Sequence, residues 1–190
     1  ARYLWQHYEY TGDLDFLRAH WETLRGAGLF LLDRLEPSDG DLITPMSTSP
    51  ENRYRLNGEI CCLSENCAVD VAITMDLLSI CTRAARLLGT DEALAEEMEQ
   101  ALANLKGYSV GSKGQLLEWD CEQEEPEPQH RHLSPLYGVY PGSSIDASSP
   151  RWFAAAERLM RTRGNDATGW GIAWKAVSYT HLTLPTNSRV

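Results

Sequence analysis

Two polar segments hold the residues whose chemistry stands out. The first is Thr48-Ser49-Pro50-Glu51-Asn52, where a proline-restricted backbone presents a single carboxyl from a stretch without helical period. The second runs from Glu118-Trp119-Asp120 through Glu122, Glu124, Glu125 and Glu127 to His130-Arg131-His132, crowding carboxylates, imidazoles and a guanidinium together. A carboxyl that keeps its proton until needed gives it to a leaving oxygen, and an Arg–His cluster holds hydroxyl groups. Such a pair fits a pocket for a neutral, hydroxyl-rich ligand. The residues alone leave plainer readings open: a solvated Glu51, a solvated acidic turn, and a binding module in place of an enzyme. His130 and His132 form an H-x-H pair with no third ligand at a recognisable spacing, so no metal and no cofactor is assigned.

Aromatic residues are the third feature. Trp5, Trp21, Trp119, Trp152, Trp170 and Trp174 are frequent enough to line a sugar pocket, since the C–H faces of a sugar stack on rings. Those at helical spacing also fit a core.

Helical periodicity supplies the scaffold. Leu4, Trp5 and Tyr8, then Leu14, Leu17, Trp21, Leu24 and Leu31, recur at three- and four-residue intervals with Thr11-Gly12-Asp13 between the runs, which predicts an αα-hairpin. From Glu36 to about Ser64 the period vanishes among Pro37, Gly40, Pro45, Pro50 and Gly58, predicting a long loop. Helical spacing resumes from about Asn66 to Leu88, stops at Gly89, and restarts after Thr90 as cap with Leu94, Met98 and Leu102. Residues 108–119 read as a short hairpin, and the acidic run Asp120 to Pro128 as a second long loop. Pro150 opens a helix through Phe153, Ala156 and Leu159, and Trp170 to Val177 begins another. The fold class expected is all-α: successive hairpins with long rim loops, closer to a toroid of six hairpins than to an open solenoid, whose loops are short and alike.

Bulk properties exclude several functions. The 190 residues, 43% of them hydrophobic, suffice for an ordinary core. A formal net charge of -10 without a Lys/Arg block speaks against nucleic acid as partner. The longest apolar runs, such as Gly28 to Leu32, fall far short of the roughly 20 residues of a membrane span. Five cysteines show no C-x-x-C pair and are read as mostly buried thiols. The chain opens at Ala1 inside a helical pattern and is read as starting mid-domain. Residues 178–190 show no helical period and are read as a non-native tail, leaving 1–177 as the domain portion.

Several ordered motifs resemble glycoside hydrolase family 95: Trp5 to Asp13, Ser47-Thr48-Ser49-Pro50-Glu51-Asn52, Thr74-Met75-Asp76, Glu118-Trp119, His130-Arg131-His132-Leu133-Ser134, Leu136 to Gly142, and Thr168-Gly169-Trp170 with Ala173-Trp174-Lys175. The resemblance covers about residues 1–177. It implies a partial (α/α)6 barrel, that is, a fragment of a six-hairpin toroid with a short β-hairpin. The implied activity is inverting hydrolysis of terminal α-L-fucosides on oligosaccharides, with no cofactor.

On this resemblance Glu51 is the general acid, with Glu118 as runner-up, and Arg131 and His132 contact the sugar hydroxyls. Trp5, Glu118 and Trp119 join them as substrate-binding residues. The acid must hold its proton at working pH, which requires burial or a neighbouring carboxylate. The family's catalytic Asp and its Asn helpers lie outside the chain, so the fragment alone is expected to be inactive, with apolar hairpin faces left uncovered. Pro135 stands where the family has a second His, read as a loosened loop or a sequence error. Related readings are an α-L-galactosidase, a six-hairpin glycoside phosphorylase, and a non-catalytic helical interaction domain. The compartment stays unassigned, although frequent export in the family points outside the cytoplasm.

Overall fold

The periodic segments become helices for local reasons. In a computed structural model, which describes residues 1–164 and 168–183, helix α1 (Arg2–Thr11) ends where Gly12 takes φ 67 and returns its N–H to Tyr8 O. That left-handed cap costs a glycine nothing. Asp13 then caps α2 (Leu14–Ala19) by accepting from the Phe16 N–H at 2.8 Å. The spacing predicts one continuous second helix, but the chain breaks at His20 and restarts as α3 (Trp21–Arg34). At the break His20 leaves helical backbone (φ -108, ψ 6), and its ring Nδ1 shares the Phe16 carbonyl with its own N–H.

Helices α4 (Ala68–Leu88) and α5 (Glu92–Asn104) follow the predicted period. The cap before α5 is Asp91 rather than Thr90, and the Asp91 carboxylate is taken by the Trp21 indole N–H at 2.7 Å. Residues Ala1–Ile43 and Thr74–Lys106 form one compact unit, with Trp5, Leu17, Leu24, Leu78, Cys81 and Met98 in its core. The helices approach closely at Gly28, where an added Cβ would lie 2.5 Å from Met98 Cε and 3.0 Å from Cys81 Sγ.

The predicted long loop is a correction: Glu36 to Ser64 is folded into ribbons. Strand β1 (Glu36–Ser38) pairs with β2 (Asp41–Ile43), β3 (Ser47–Thr48) with β6 (Leu63–Ser64), and β4 (Tyr54–Leu56) with β5 (Glu59–Cys61), all antiparallel. The reason lies in the turns. Asp39-Gly40 and Asn57-Gly58 each have positive φ at both residues, the pattern of two-residue hairpin turns whose twist matches the strands. The hairpin predicted over 108–119 is present in short form: an antiparallel bridge joins Val110 and Leu116, flanked by Leu117 N–H to Ser109 O at 3.0 Å and Gly111 N–H to Gln115 O at 2.8 Å.

The second unit comprises Thr44–Ile73 and Gly107–Val190. Its helices are α6 (Pro150–Thr162), with proline in the first turn where no N–H is needed, and α7 (Gly169–Thr183). Leu116, Leu133, Leu136, Ala156 and Leu159 are buried in this unit, and Leu116 N–H donates to Ala155 O at 2.9 Å. Helix α7 corrects the expected end of periodicity at Val177: it continues to Thr183, with Ser178 and Leu182 buried. The rest of the proposed tail, 184–190, lies outside the described residues. Pro135 is buried in a 3-10 turn, Ser134–Gly138, rather than in a loosened loop.

The architecture among the described residues is all-α, with seven α-helices and strands confined to the three ribbons. No helix among them is long and apolar enough to cross a membrane. All five cysteines are free, but only Cys67 and Cys81 are buried, whereas Cys62 and Cys121 are exposed on polar segments. Burial pushes the two buried thiols up, to about 11 and about 12, so neither offers a thiolate nucleophile.

Candidate active site

All but one of the site residues expected from the sequence fall in the second unit. Strand β3 delivers the chain into a turn over Ser49-Pro50-Glu51-Asn52, closed by Asn52 N–H to Ser49 O at 3.2 Å. Ser49 and Asn52 are buried at 1% and 2% exposure, while Glu51 between them is exposed. Glu51 has φ 54, in the left-handed region that costs a residue with a Cβ roughly 1–2 kcal/mol. The buried flanks must hold that conformation. Ser49 donates its hydroxyl to Glu118, Asn52 Nδ2 donates to Glu125 at 3.3 Å, and Asn52 Oδ1 accepts from Arg53 N–H at 2.8 Å.

Arg131 and His132 reach this turn from the other segment. The Arg131 guanidinium donates to the Glu51 carboxylate, and His132 Nε2 lies 3.6 Å from the same oxygen. Burial, with the Arg131 charge behind it, holds the His132 imidazole below its usual range, so at neutral pH it is an uncharged donor and acceptor. His130 is buried beneath, and its Nδ1 accepts from His132 N–H at 3.2 Å, which orients the pair. Trp170, at the start of α7, meets the His132 ring edge-on at 5.1 Å and is 49% exposed. The structure thus brings Glu51, Arg131 and His132 together beside an open indole face.

Three expected ligand-facing residues are corrected. Trp5 belongs to the core of the first unit, 1% exposed, with Arg83 over its ring at 4.6 Å and Tyr8 beside it, so no face is free for a sugar. Trp119 is 2% exposed and packs on Tyr54 at 4.9 Å in a cluster with Cys67. Glu118 is equally buried. One of its oxygens accepts from Ser49, and the other accepts from Arg163 Nη2 at 2.6 Å. Burial pushes the Glu118 carboxyl above the usual carboxylate range, against the pull of Arg163. Within the acidic run Glu118 is buried and Asp120 and Glu125 are half-buried, while Glu122, Glu124 and Glu127 are exposed as in a solvated turn.

Arg163 was not legible in the sequence. It ends α6, a position where basic residues ordinarily cap a helix in water, and no motif spacing marks it. Its side chain is 1% exposed. The signal available was indirect: a carboxyl that enters the interior, as Glu118 of the acidic run does, needs a cation beside it. A separate hollow of about 640 Å³ between α6 and α7, lined by Met160, Arg161, Ile172, Lys175 and Tyr179 among others, contains none of these site residues.

Comparison with known proteins places this geometry in context. Residues 1–189 match the glycosyl hydrolase family 95 catalytic domain. The chain is 35% identical over 183 residues to alpha-L-fucosidase 2 of Arabidopsis thaliana, a match covering 94% of this chain and 22% of the plant protein. It is 27% identical over 198 residues to probable alpha-fucosidase A of Aspergillus niger, covering 97% of this chain and 24% of the fungal protein. The chain therefore spans under a quarter of the length of these relatives.

Proposed function

The chain belongs to the glycosyl hydrolase family 95 catalytic domain, and from that premise we propose that it carries the proton-donating part of an enzyme hydrolysing terminal α-L-fucosides of oligosaccharides with inversion. Glu51 is the general acid. It passes its proton to the glycosidic oxygen as the C–O bond breaks, while Arg131 and His132 hold the sugar hydroxyls. The observation that carries this reading is the convergence of Glu51 with Arg131 and His132, residues about 80 positions apart in sequence.

The pieces act together on a bound sugar. Without substrate, Arg131 occupies the Glu51 carboxylate. A fucoside seated against the pair draws guanidinium donors onto its hydroxyls and excludes water from the carboxyl, and both changes favour the protonated acid. His132, neutral and hydrogen-bonded to the Pro50 backbone, keeps one ring nitrogen for a sugar hydroxyl. Trp170 offers a face to the sugar's C–H side.

Inversion also needs a base about 6.5–9.5 Å from the acid, across the sugar. Glu118 does not suit that role because Arg163 and Ser49 occupy its oxygens. On the resemblance the base is an Asp outside residues 1–190. Residues 1–177 are read as part of an (α/α)6 barrel, a reading supported by family membership and by helices joined through site-bearing loops.

The test uses the full-length protein that carries this segment. Glu51→Gln is assayed on methyl α-L-fucoside, whose alkoxide must be protonated to leave, and on dinitrophenyl α-L-fucoside, whose phenolate leaves unaided. Turnover should collapse on the first substrate and persist on the second. Undiminished turnover on the methyl glycoside overturns the assignment.

A further inference from the structure

One buried cation holds both ends of the Glu51 turn. Ser49, the first residue of the turn, donates to Glu118, and Asn52, the fourth, donates to Glu125 at 3.3 Å. Both carboxylates accept in turn from the Arg163 guanidinium: Nη2 bonds Glu118 at 2.6 Å and Nη1 bonds Glu125. Nη1 also donates to Pro128 O at 2.8 Å, tying the acidic segment to the same group.

The arrangement uses features specific to arginine. Two outer nitrogens on a rigid plane hold two carboxylates at a set separation, which a single ammonium cannot do. Ser49, Asn52, Glu118 and Arg163 are all nearly inaccessible to solvent, so water does not compete for the Glu118 bonds, while Glu125, 24% exposed, is the member of the set that meets solvent. Glu51, between the clamped ends, is the exposed member and the one with left-handed backbone. With either end released, the turn is free to relax towards the right-handed conformation, and the carboxyl swings away from Arg131 and His132.

We infer that Arg163 is a positioning residue for the acid: through Glu118 and Glu125 it fixes both ends of the Ser49–Asn52 turn and so sets where the Glu51 carboxyl meets the leaving oxygen. The inference rests on the reading of Glu51 as general acid. It predicts a defect confined to proton donation, because displacement of a reacting group by about 1 Å costs on the order of 10²-fold in rate. A purely structural role for Arg163 predicts instead a loss shared by all substrates.

The full-length protein carrying Arg163→Met is compared with wild type on the methyl and dinitrophenyl fucosides, with Arg161→Met on the exposed face of the same helix as control. The expected result is a fall in kcat of about 10²-fold on the methyl glycoside, with kcat on the dinitrophenyl glycoside and both KM values unchanged. Arg163→Lys, which keeps the charge without the fork, should fall between wild type and Arg163→Met. If Arg163→Met does not fold, Glu125→Gln carries the test, since it weakens only the Asn52 end and leaves the Arg163–Glu118 pair intact. Its loss should be smaller and show the same selectivity. Equal losses on both substrates, or none on the methyl glycoside, overturn the inference. Glu51→Gln run in parallel separates the two ideas. A selective loss there, without one in the Arg163 and Glu125 variants, defeats the positioning role alone; no selective loss there defeats the acid assignment and the inference with it.

Discussion

Arg131 donates to the Glu51 carboxylate while both side chains stay open to solvent, 43% and 62% exposed. An ion pair so exposed contributes about 0–1 kcal/mol to stability, because water screens the attraction and two long side chains lose rotamer freedom. It does not hold the two segments together. The buried links run through Arg163, whose pair with Glu118 is 1% exposed on each side chain and which reaches the turn through Ser49 and Asn52 and the second segment at Pro128 O. The exposed pair is free to exchange its partner for a ligand, and the buried pair keeps it in place.

Glu51→Gln in the full-length protein should lower kcat on methyl α-L-fucoside by about 10²–10⁴-fold, the usual contribution of a positioned acid. Because the residue is exposed, thermal melting should match wild type. A melt that drops along with kcat would mean that the substitution acts through folding.

Arg131→Lys replaces a planar fork by a point charge. Losing one charge-assisted hydrogen bond to the sugar costs about 1.5–3 kcal/mol, so fucose affinity should fall by roughly 10–100-fold. Titration calorimetry with free L-fucose measures this directly. Equal affinity in both proteins would remove Arg131 from the sugar site.

The two tryptophans should separate cleanly. Trp5→Ala deletes a core side chain and should cost about 3–5 kcal/mol in stability, with KM unaltered in the folded fraction. Trp170→Ala deletes an exposed face and should raise KM with little change in melting temperature. The opposite pattern, with KM moved by Trp5 and stability by Trp170, would put Trp5 at the sugar and Trp170 in the core.

His130 supplies a pH test. Burial, then the Arg163 charge, holds its imidazole below the ordinary histidine range. The unfolded chain therefore binds the proton more readily than the folded one, and stability is lost as pH falls through about 6.5 towards the folded value. The raised Glu118 carboxyl acts in the opposite sense, because the folded state gains a proton there as pH falls. Comparing His130→Gln with wild type cancels the Glu118 contribution. The variant should be less stable than wild type at pH 7, and the gap should narrow at pH 5. A gap independent of pH would show that His130 does not titrate on unfolding in this range.

Much of this chain was readable as letters. Leu4, Trp5 and Tyr8, the capping Asp13, and the stop at Gly89 mark helices because periodicity and caps are properties of neighbours along the chain. The Asn57-Gly58 turn is readable as well, since an Asn-Gly pair signals a hairpin on local grounds even where helical period is absent. The break at His20 was not readable, since the residue fits a helix as well as a boundary.

For the site, residue type and motif drew attention to Glu51, Arg131 and His132, and the same reasoning selected Trp5, Glu118 and Trp119 with equal force. Glu118 and Glu51 are the same side chain by chemistry. What separates them is that Arg163, 45 residues from Glu118, enters the interior beside one and leaves the other in solvent. The sequence by itself determined the helices, the polar segments and the chemistry available in them, because those follow from residue type and local spacing. The tertiary structure alone decided which carboxyl is buried, which is exposed, and which arginine holds the turn, because burial and ion pairing depend on contacts between residues far apart along the chain.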